Sequence, residues 1–309
     1  MLKENISQEI YFRRRGRIFA MVAASLWGIS GTSAQYLFQS EGFSPEWLVV
    51  IRLLVSGICL LFFTHTILKN NIFKIFSTKH DIFSIIVFSF IGMLGVQYTY
   101  FITIKYSNAA TATILQYLSP VVIALFLIFR FRKLPTPQEC MAILLALMGT
   151  FLIITNGNMS SLIVSKITLF WGIISAVAAA FNTLLPRRIL AKWGSNVVTG
   201  WGMLLGGIFM SFIHSPFNFV GKLSVSAVVL VAVVIVLGTL IPFMLYMDSL
   251  KHIKPTEASV LGAFEPLSAA FLSLIFLNTT FTIFQGIGTM CIIMTTVILS
   301  KGSNSALEH

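Results

Sequence analysis

Residues 92–124 read GMLGVQYTYFITIKYSNAATATILQYLSPVVIA, and residues 238–270 read GTLIPFMLYMDSLKHIKPTEASVLGAFEPLSAA. The offset of 146 pairs Gly92 with Gly238, Leu94 with Leu240, Tyr100 with Tyr246, Lys105 with Lys251, Ala112 with Ala258, Leu115 with Leu261, Pro120 with Pro266 and Ala124 with Ala270. Eight identities in 33 ungapped positions is about a quarter. Apolar composition would produce some of these matches, but not a Gly, a Tyr, a Lys and a Pro together in register. The chain reads as a duplication, with one repeat over residues 1–155 and the other over 156–309. Its period is near half the length, far above that of a solenoid or a propeller.

With 57% hydrophobic residues, 10% charged residues and a mean hydropathy of +0.91, the chain is too apolar for an ordinary water-soluble surface. Charge-free runs of about twenty residues recur, the length a helix needs to cross the hydrocarbon core. They predict an all-α integral membrane protein of ten spans, near residues 17–38, 46–68, 82–104, 108–129, 138–155, 166–186, 197–213, 225–250, 256–277 and 281–300. The breaks near Ser107 and Lys254 read as tight hairpin turns.

A net charge of +11 raises the question of a nucleic-acid partner, and the placement of the cations answers against it. One side of the expected topology holds Lys3, Arg13, Arg14, Arg15, Arg17, Lys69, Lys74, Lys79, Arg130, Arg132, Lys133, Arg187, Arg188, Lys192, Lys251, Lys254 and Lys301. The other holds Lys105, Lys166 and Lys222, and Arg52 falls inside a span. Seventeen against three over short loops is a positive-inside signal, which places both termini in the cytoplasm. The run from Ile18 is too long for a signal-peptide core and lacks a small-residue cleavage site, so it is expected to stay as the first span. Cys59, Cys140 and Cys291 all fall within spans and imply no disulfide framework. Leu307, Glu308 and His309 resemble the start of an expression tag.

Within the spans, the residues that are costly to place in lipid mark the interior. Span one carries Trp27, Gly28, Ser30, Gly31, Thr32 and Ser33. Small residues there allow close helix approach, and Trp27 sits mid-span, away from the interfacial belt, so it either packs inside the bundle or lines a cavity. Arg52, near the outer end of span two, is either a functional charge or a structural one that snorkels or binds a backbone carbonyl. Gln97, Tyr100 and Gln116 are expected to face inward from spans three and four. Pro120 and Pro266 break their spans at matched positions, the pattern of transporters whose interrupted helices flank a binding site. Asn182 in span six is either a cavity residue or an interhelical hydrogen bonder, while Gly202, Gly206 and Gly207 give span seven a close-packing face. Span five looks like scaffold, with span ten as its partner. Asp248 and Glu257 read as interfacial charges. Glu265 lies about nine residues, roughly 13 Å, into its span. That carboxyl is either a group for reversible protonation or a structural one held beside the Pro266 break.

Taken together, Trp27-Gly28, the run Tyr100 to Pro120 with Lys105-Tyr106-Ser107-Asn108-Ala109-Ala110 and Leu118-Ser119-Pro120, Phe181-Asn182 and Phe264-Glu265-Pro266 resemble the EamA-type branch of the drug/metabolite transporter superfamily. The resemblance covers essentially the whole chain. It departs where members often carry an acidic signature after spans four and nine, since Phe129-Arg130-Phe131-Arg132 and Leu277-Asn278-Thr279 stand there, and no role of those carboxylates carries over. It implies two inverted five-helix repeats around a cavity lined by spans one, three, four, six, eight and nine, in a multi-pass protein of the bacterial cytoplasmic membrane. An odd number of spans per repeat gives the inversion independently.

The expected function is secondary transport by alternating access, with Trp27, Gln97, Tyr100, Gln116, Asn182, Tyr246 and Glu265 as substrate-binding residues, Glu265 and Arg52 as candidate coupling or structural charges, and protons as the candidate coupling ion. Aromatic faces with amide, phenol and carboxyl groups suit a small zwitterionic metabolite; amino acids and export follow from the resemblance. A cationic multidrug antiporter would be expected to have an acidic residue in span one, which is absent. An organophosphate or nucleotide-sugar carrier requires cavity cations, for which only Arg52 is a candidate. A channel shares these sequence features and differs in kinetics. No catalytic constellation, cofactor or metal site is expected.

Overall fold

The computed structural model describes residues 2–131, 136–156, 164–249, 252–253, 261–262, 264–277 and 282–305. Among them every regular element is a helix. The expectations for Arg132, Lys133, Lys251, Lys254, Glu257, Ala258, Asn278, Thr279, the turn near Lys254 and the Leu307–His309 tail lie outside the described residues. Six stretches are long and apolar enough to cross a membrane: Pro45–Thr66, Lys79–Tyr106, Ala109–Arg130, Lys166–Leu184, Ser195–Ile213 and Val225–Tyr246. Shorter apolar helices cover Cys140–Ile153, Phe264–Phe276 and Ile283–Thr295.

The first helix, α1, runs unbroken over Leu2–Gln39, well beyond the start of the apolar run. Helix α2 (Pro45–Thr66) starts where Ser44 accepts a hydrogen bond from the Trp47 amide at 3.1 Å, with Pro45 in the first turn, where a missing N–H costs nothing. The 3₁₀ segment Ile72–Ser77 leads into α3 (Lys79–Val87), capped by Thr78. Helix α4 (Gly95–Tyr106) ends at the predicted hairpin near Ser107, and Asn108 caps α5 (Ala109–Gln116) by accepting from the Thr111 amide at 2.8 Å. The chain then breaks at Tyr117 and Leu118 and restarts as α6 (Ser119–Phe131), which places Pro120 in the first turn of the new helix. Helices α7 (Pro137–Thr155), α8 (Lys166–Leu184), α9 (Arg187–Trp193), α10 (Ser195–Ile213), α11 (Val225–Ile235) and α12 (Ile241–Ser249) follow. The last two are α13 (Phe264–Phe276) and α14 (Ile283–Ser305). Helix α13 opens just ahead of Glu265 and Pro266, so the second interruption also falls at its proline.

Two π-helical turns were not anticipated. Phe88–Leu94 joins α3 to α4, and Val236–Leu240 joins α11 to α12. In the first, the Gly95 amide bonds to the Phe90 carbonyl, and in the second the Ile241 amide bonds to the Val236 carbonyl. Both partners are related by the same offset of 146 that relates the sequences. The duplication therefore carries a duplicated backbone irregularity.

Packing follows the small residues. Helix α2 lies along α10, α7 along α14, α1 against α11, α12 and α13, and α8 against α4, α5 and α6. The α2–α10 crossing is reciprocal: a Cβ on Gly57 would lie 2.6 Å from the Leu204 nitrogen, and one on Gly207 2.9 Å from the Leu54 nitrogen. The α7–α14 crossing repeats the pattern, since a Cβ on Gly149 or on Gly288 would lie 2.7 Å from the other residue's carbonyl oxygen. Close backbone approach of this kind supplies the dispersion contact that holds helices together in lipid. Several buried hydroxyls are satisfied within their own helices, as where Thr32 donates to the Gly28 carbonyl at 3.0 Å and Thr103 to the Thr99 carbonyl at 2.7 Å. Replacing Gly149 or Gly288 by Val is expected to force α7 and α14 apart at a cost of about 1–3 kcal/mol, read as a lower melting temperature in detergent.

Candidate functional site

The restart of α13 presents Glu265 to the interior of the bundle. Its carboxyl group lies within electrostatic range of the hydroxyls of Tyr100 from α4, Tyr117 from the α5–α6 break and Tyr246 from α12. No described residue forms a hydrogen bond or ion pair with it. Helix α1 supplies the opposite wall: the Trp27 ring lies 5.3 Å from Phe243, edge-on, and 5.3 Å from Tyr246, tilted. Trp27, Tyr117, Tyr246 and Glu265 are each partly exposed.

Glycines on α1 set how close this wall comes. A Cβ on Gly28 would lie 2.8 Å from both the Ala269 nitrogen and the Glu265 carbonyl, so only glycine lets α1 lie against the first turns of α13. A Cβ on Gly31 would lie 2.6 Å from the Tyr100 hydroxyl. That hydroxyl shares a 2.8 Å hydrogen bond with Thr113 of α5, and Tyr100 is 8% exposed, so its ring is fixed from two sides. Of the two readings its position left open, the structure shows the packed one, with Trp27 against Phe243 and Tyr246.

Of the eight residues singled out by sequence, the structure gathers Trp27, Tyr100, Tyr246 and Glu265. Gln116 stands beside them, one residue before Tyr117, and donates to the Ser175 hydroxyl of α8 at 2.8 Å. Gln97 is buried one turn before Tyr100 on α4. Asn182 lies elsewhere: a Cβ on Gly92 would sit 3.2 Å from its Cα, at the first π-turn, and its buried Oδ1 has no hydrogen-bond partner among the described residues. Arg52 is directed to the second π-turn, where Nε donates to the Thr239 hydroxyl at 3.0 Å and Nη2 to the Gly238 carbonyl at 3.3 Å. Its guanidinium lies 4.5 Å from the Phe101 ring centroid. Tyr100 lies within its electrostatic range.

Sequence reasoning passed over Tyr117 and Phe243 as site residues. Both carried a signal: Tyr117 lies in the interruption ahead of Pro120, and Phe243 is one helical turn before Tyr246 on the same face.

Contacts between distant segments tie the bundle at both ends. At one end Glu41 accepts from Ser224 at 2.9 Å, and the Trp47 ring packs on Phe219 at 4.9 Å. At the other end Asp81 accepts from Lys192 at 2.5 Å and from the Trp193 indole at 3.2 Å, and Arg15 meets Asp248 at 3.4 Å. Separate from the site, a groove of ≈ 460 Å³ between α7 and α14 is lined only by apolar side chains, glycine and Cys291. Among the described residues no cluster of His, Cys, Asp and Glu has the makings of a metal site.

A sequence profile for the EamA-like transporter family matches residues 14–155 and again 166–301. The chain belongs to that family. This EamA-like chain is 39% identical over 290 residues to the uncharacterized inner membrane transporter YicL of Salmonella typhimurium strain LT2, covering 94% of the chain and 96% of that relative. It is 28% identical over 244 residues to an uncharacterized transporter of Acidianus ambivalens, covering 78% of the chain and 89% of that relative. A solved crystal structure, described only as that of a protein, shares the fold with a TM-score of 0.63 at 16% identity, over 92% of this chain and 95% of the other. EamA-like membership with these apolar helices makes this a multi-pass membrane protein of a transporter family, within the drug/metabolite transporter superfamily.

Gly31→Ala is expected to push the Tyr100 hydroxyl off Thr113 and destabilise the protein by about 1–3 kcal/mol in thermal unfolding. Gly286→Ala, where no atom lies within 4 Å of the added Cβ, should change stability by less than about 0.5 kcal/mol.

Proposed function

We propose that this protein is a secondary transporter that moves a small zwitterionic metabolite across the membrane by alternating access. An amino acid or close derivative is the leading class of cargo and export the leading direction. The observation that carries the reading is Glu265, a carboxylate at the mouth of an interrupted helix, faced by three tyrosine hydroxyls and the Trp27 wall. A carboxylate attracts an ammonium group, and aromatic faces strengthen that attraction in a site shielded from water. The phenols and the Gln116 amide add donors for the anionic end of such a cargo.

The ten-span arrangement with both termini in the cytoplasm belongs to the same proposal. It is supported by the reciprocal α2–α10 and α7–α14 crossings, which are what two copies related by a two-fold axis would make. The ties at both ends of the bundle support alternating access, because an exchange between inward- and outward-open forms must break one set while keeping the other. The engagement of Arg52 with Thr239 and Gly238 counts against an organophosphate cargo, since it ties the guanidinium to the second π-turn.

Two measurements test this. In detergent, a panel of amino acids, nucleosides, polyamines and phosphorylated sugars is expected to raise the melting temperature only for a few amino acids, because a ligand of the folded state at about 100 times its Kd adds roughly 2.7 kcal/mol. Stabilisation confined to phosphorylated compounds would overturn the cargo class. In proteoliposomes, Glu265→Gln is expected to lower transport of the stabilising amino acid and flatten its pH dependence. An unchanged rate and pH profile would remove Glu265 from proton coupling.

A further inference from the structure

The two π-turns are equivalent in sequence and unlike in what holds them. A π-turn lengthens the hydrogen-bond loop by one residue and leaves nearby carbonyls poorly served by the helix itself. Around Val236–Leu240 these groups are taken up by side chains. Arg52 donates to the Gly238 carbonyl and to the Thr239 hydroxyl; Thr239 passes its own proton to the Val234 carbonyl at 3.0 Å; and Ser56, one turn along α2, donates to the Ile235 carbonyl at 3.4 Å. Arg52 is 3% exposed, and Ser56 and Thr239 are fully buried.

Helix α10 occupies the matching place at the first π-turn. The caps Ser44 and Gly194 and the reciprocal pairs Leu54–Gly207 and Leu204–Gly57 set the same offset of 150 between α2 and α10. Arg52 then corresponds to Gly202, and Ser56 to Gly206. These glycines touch the first π-turn too: a Cβ on Gly202 would lie 2.6 Å from the Phe88 ring, and one on Gly206 3.1 Å from the Ser89 carbonyl. One π-turn is therefore bound by a cation and a hydroxyl, and the other rests against bare backbone.

The bound turn leads directly into α12, which carries Phe243 and Tyr246. If Val236–Leu240 relaxed to α-helical bonding, the following helix would advance by one residue, a rotation of roughly 100° and a shift of about 1.5 Å. Both rings would leave Trp27. We propose that Arg52 is a positioning residue that latches the second π-turn and so sets how α12 presents Phe243 and Tyr246 to Trp27 and Glu265. Its consequence for transport rests on the reading of that cluster as the transport site.

The test needs no cargo. The full-length protein is labelled with 5-fluorotryptophan, and the fluorine resonances of Trp27 and Trp193 are assigned by their loss in Trp27→Phe and Trp193→Phe. Trp27 reports on the rings of α12, and Trp193, held by Asp81 between α3 and α9, reports on the fold at a distance. In Arg52→Gln, the Trp27 resonance is expected to move or split in two while Trp193 stays in place. Thr239→Val, which removes the acceptor of Nε but keeps the charge, is expected to move Trp27 in the same direction by less. An unmoved Trp27 resonance in both variants overturns the latch, and so does a joint movement of Trp193, which would make Arg52 a support of the whole fold. If Arg52→Gln does not fold, Thr239→Val decides by the same two criteria. A moved Trp27 resonance with unchanged amino-acid transport would sink the transport-site reading and leave the latch standing.

Discussion

A backbone carbonyl inside a bilayer has no water to turn to, so any departure from regular helix must be satisfied by other groups of the protein. Among the described residues, the helices of the interior depart from regular geometry at two π-turns and at the breaks ahead of Pro120 and Pro266. Each lies where helices from both halves of the sequence meet. The second π-turn is satisfied by α2, through Arg52 and Ser56, and the interruptions are placed so that each proline falls in a first turn, where it has no bond to lose. The irregular backbone thus locates the interior, and the interior is where the polar side chains can stand.

Close packing follows from the same constraint. Lipid tails are as apolar as leucine, so the helices gain little from apolar burial alone and must approach closely to hold one another. Gly57 and Gly207 achieve this between α2 and α10, Gly149 and Gly288 between α7 and α14, and Gly28 brings α1 onto α13. The last contact matters most for the site, because it sets the distance between the Trp27 wall and Glu265. The surroundings of Glu265 are in this sense prepared by the absence of a side chain at Gly28.

The two halves have kept one architecture and diverged in charge. Equivalent helices meet equivalent turns, yet Arg52 and Ser56 stand where the other half has Gly202 and Gly206. Glu265 likewise stands opposite Ser119 in the duplicated stretch. Arg52 thus stands in one half and Glu265 in the other, each without a charged counterpart at the equivalent position of the opposite half. On the transport reading proposed above, a symmetric frame offers two equivalent forms, and asymmetric charge would give a cargo with two unlike ends a single way to lie in it.

Sequence alone pointed to the membrane class, the duplication, the breaks at both prolines and the small-residue faces of spans one and seven, and it singled out four residues that lie near one another in the structure: Trp27, Tyr100, Tyr246 and Glu265. These were legible because hydropathy, offset and proline position are local properties, and because a polar residue in a lipid-length span has few places to go. Tertiary structure decided the rest. It alone brought Tyr117 and Phe243 to the site, set Asn182 against the first π-turn, and turned Arg52 toward Gly238 and Thr239. No sequence spacing encodes these, since each depends on how far one helix is rotated against another that is distant along the chain. The π-turns set part of that rotation for α4 and α12, and a π-turn leaves no mark on hydropathy beyond a glycine kept in register.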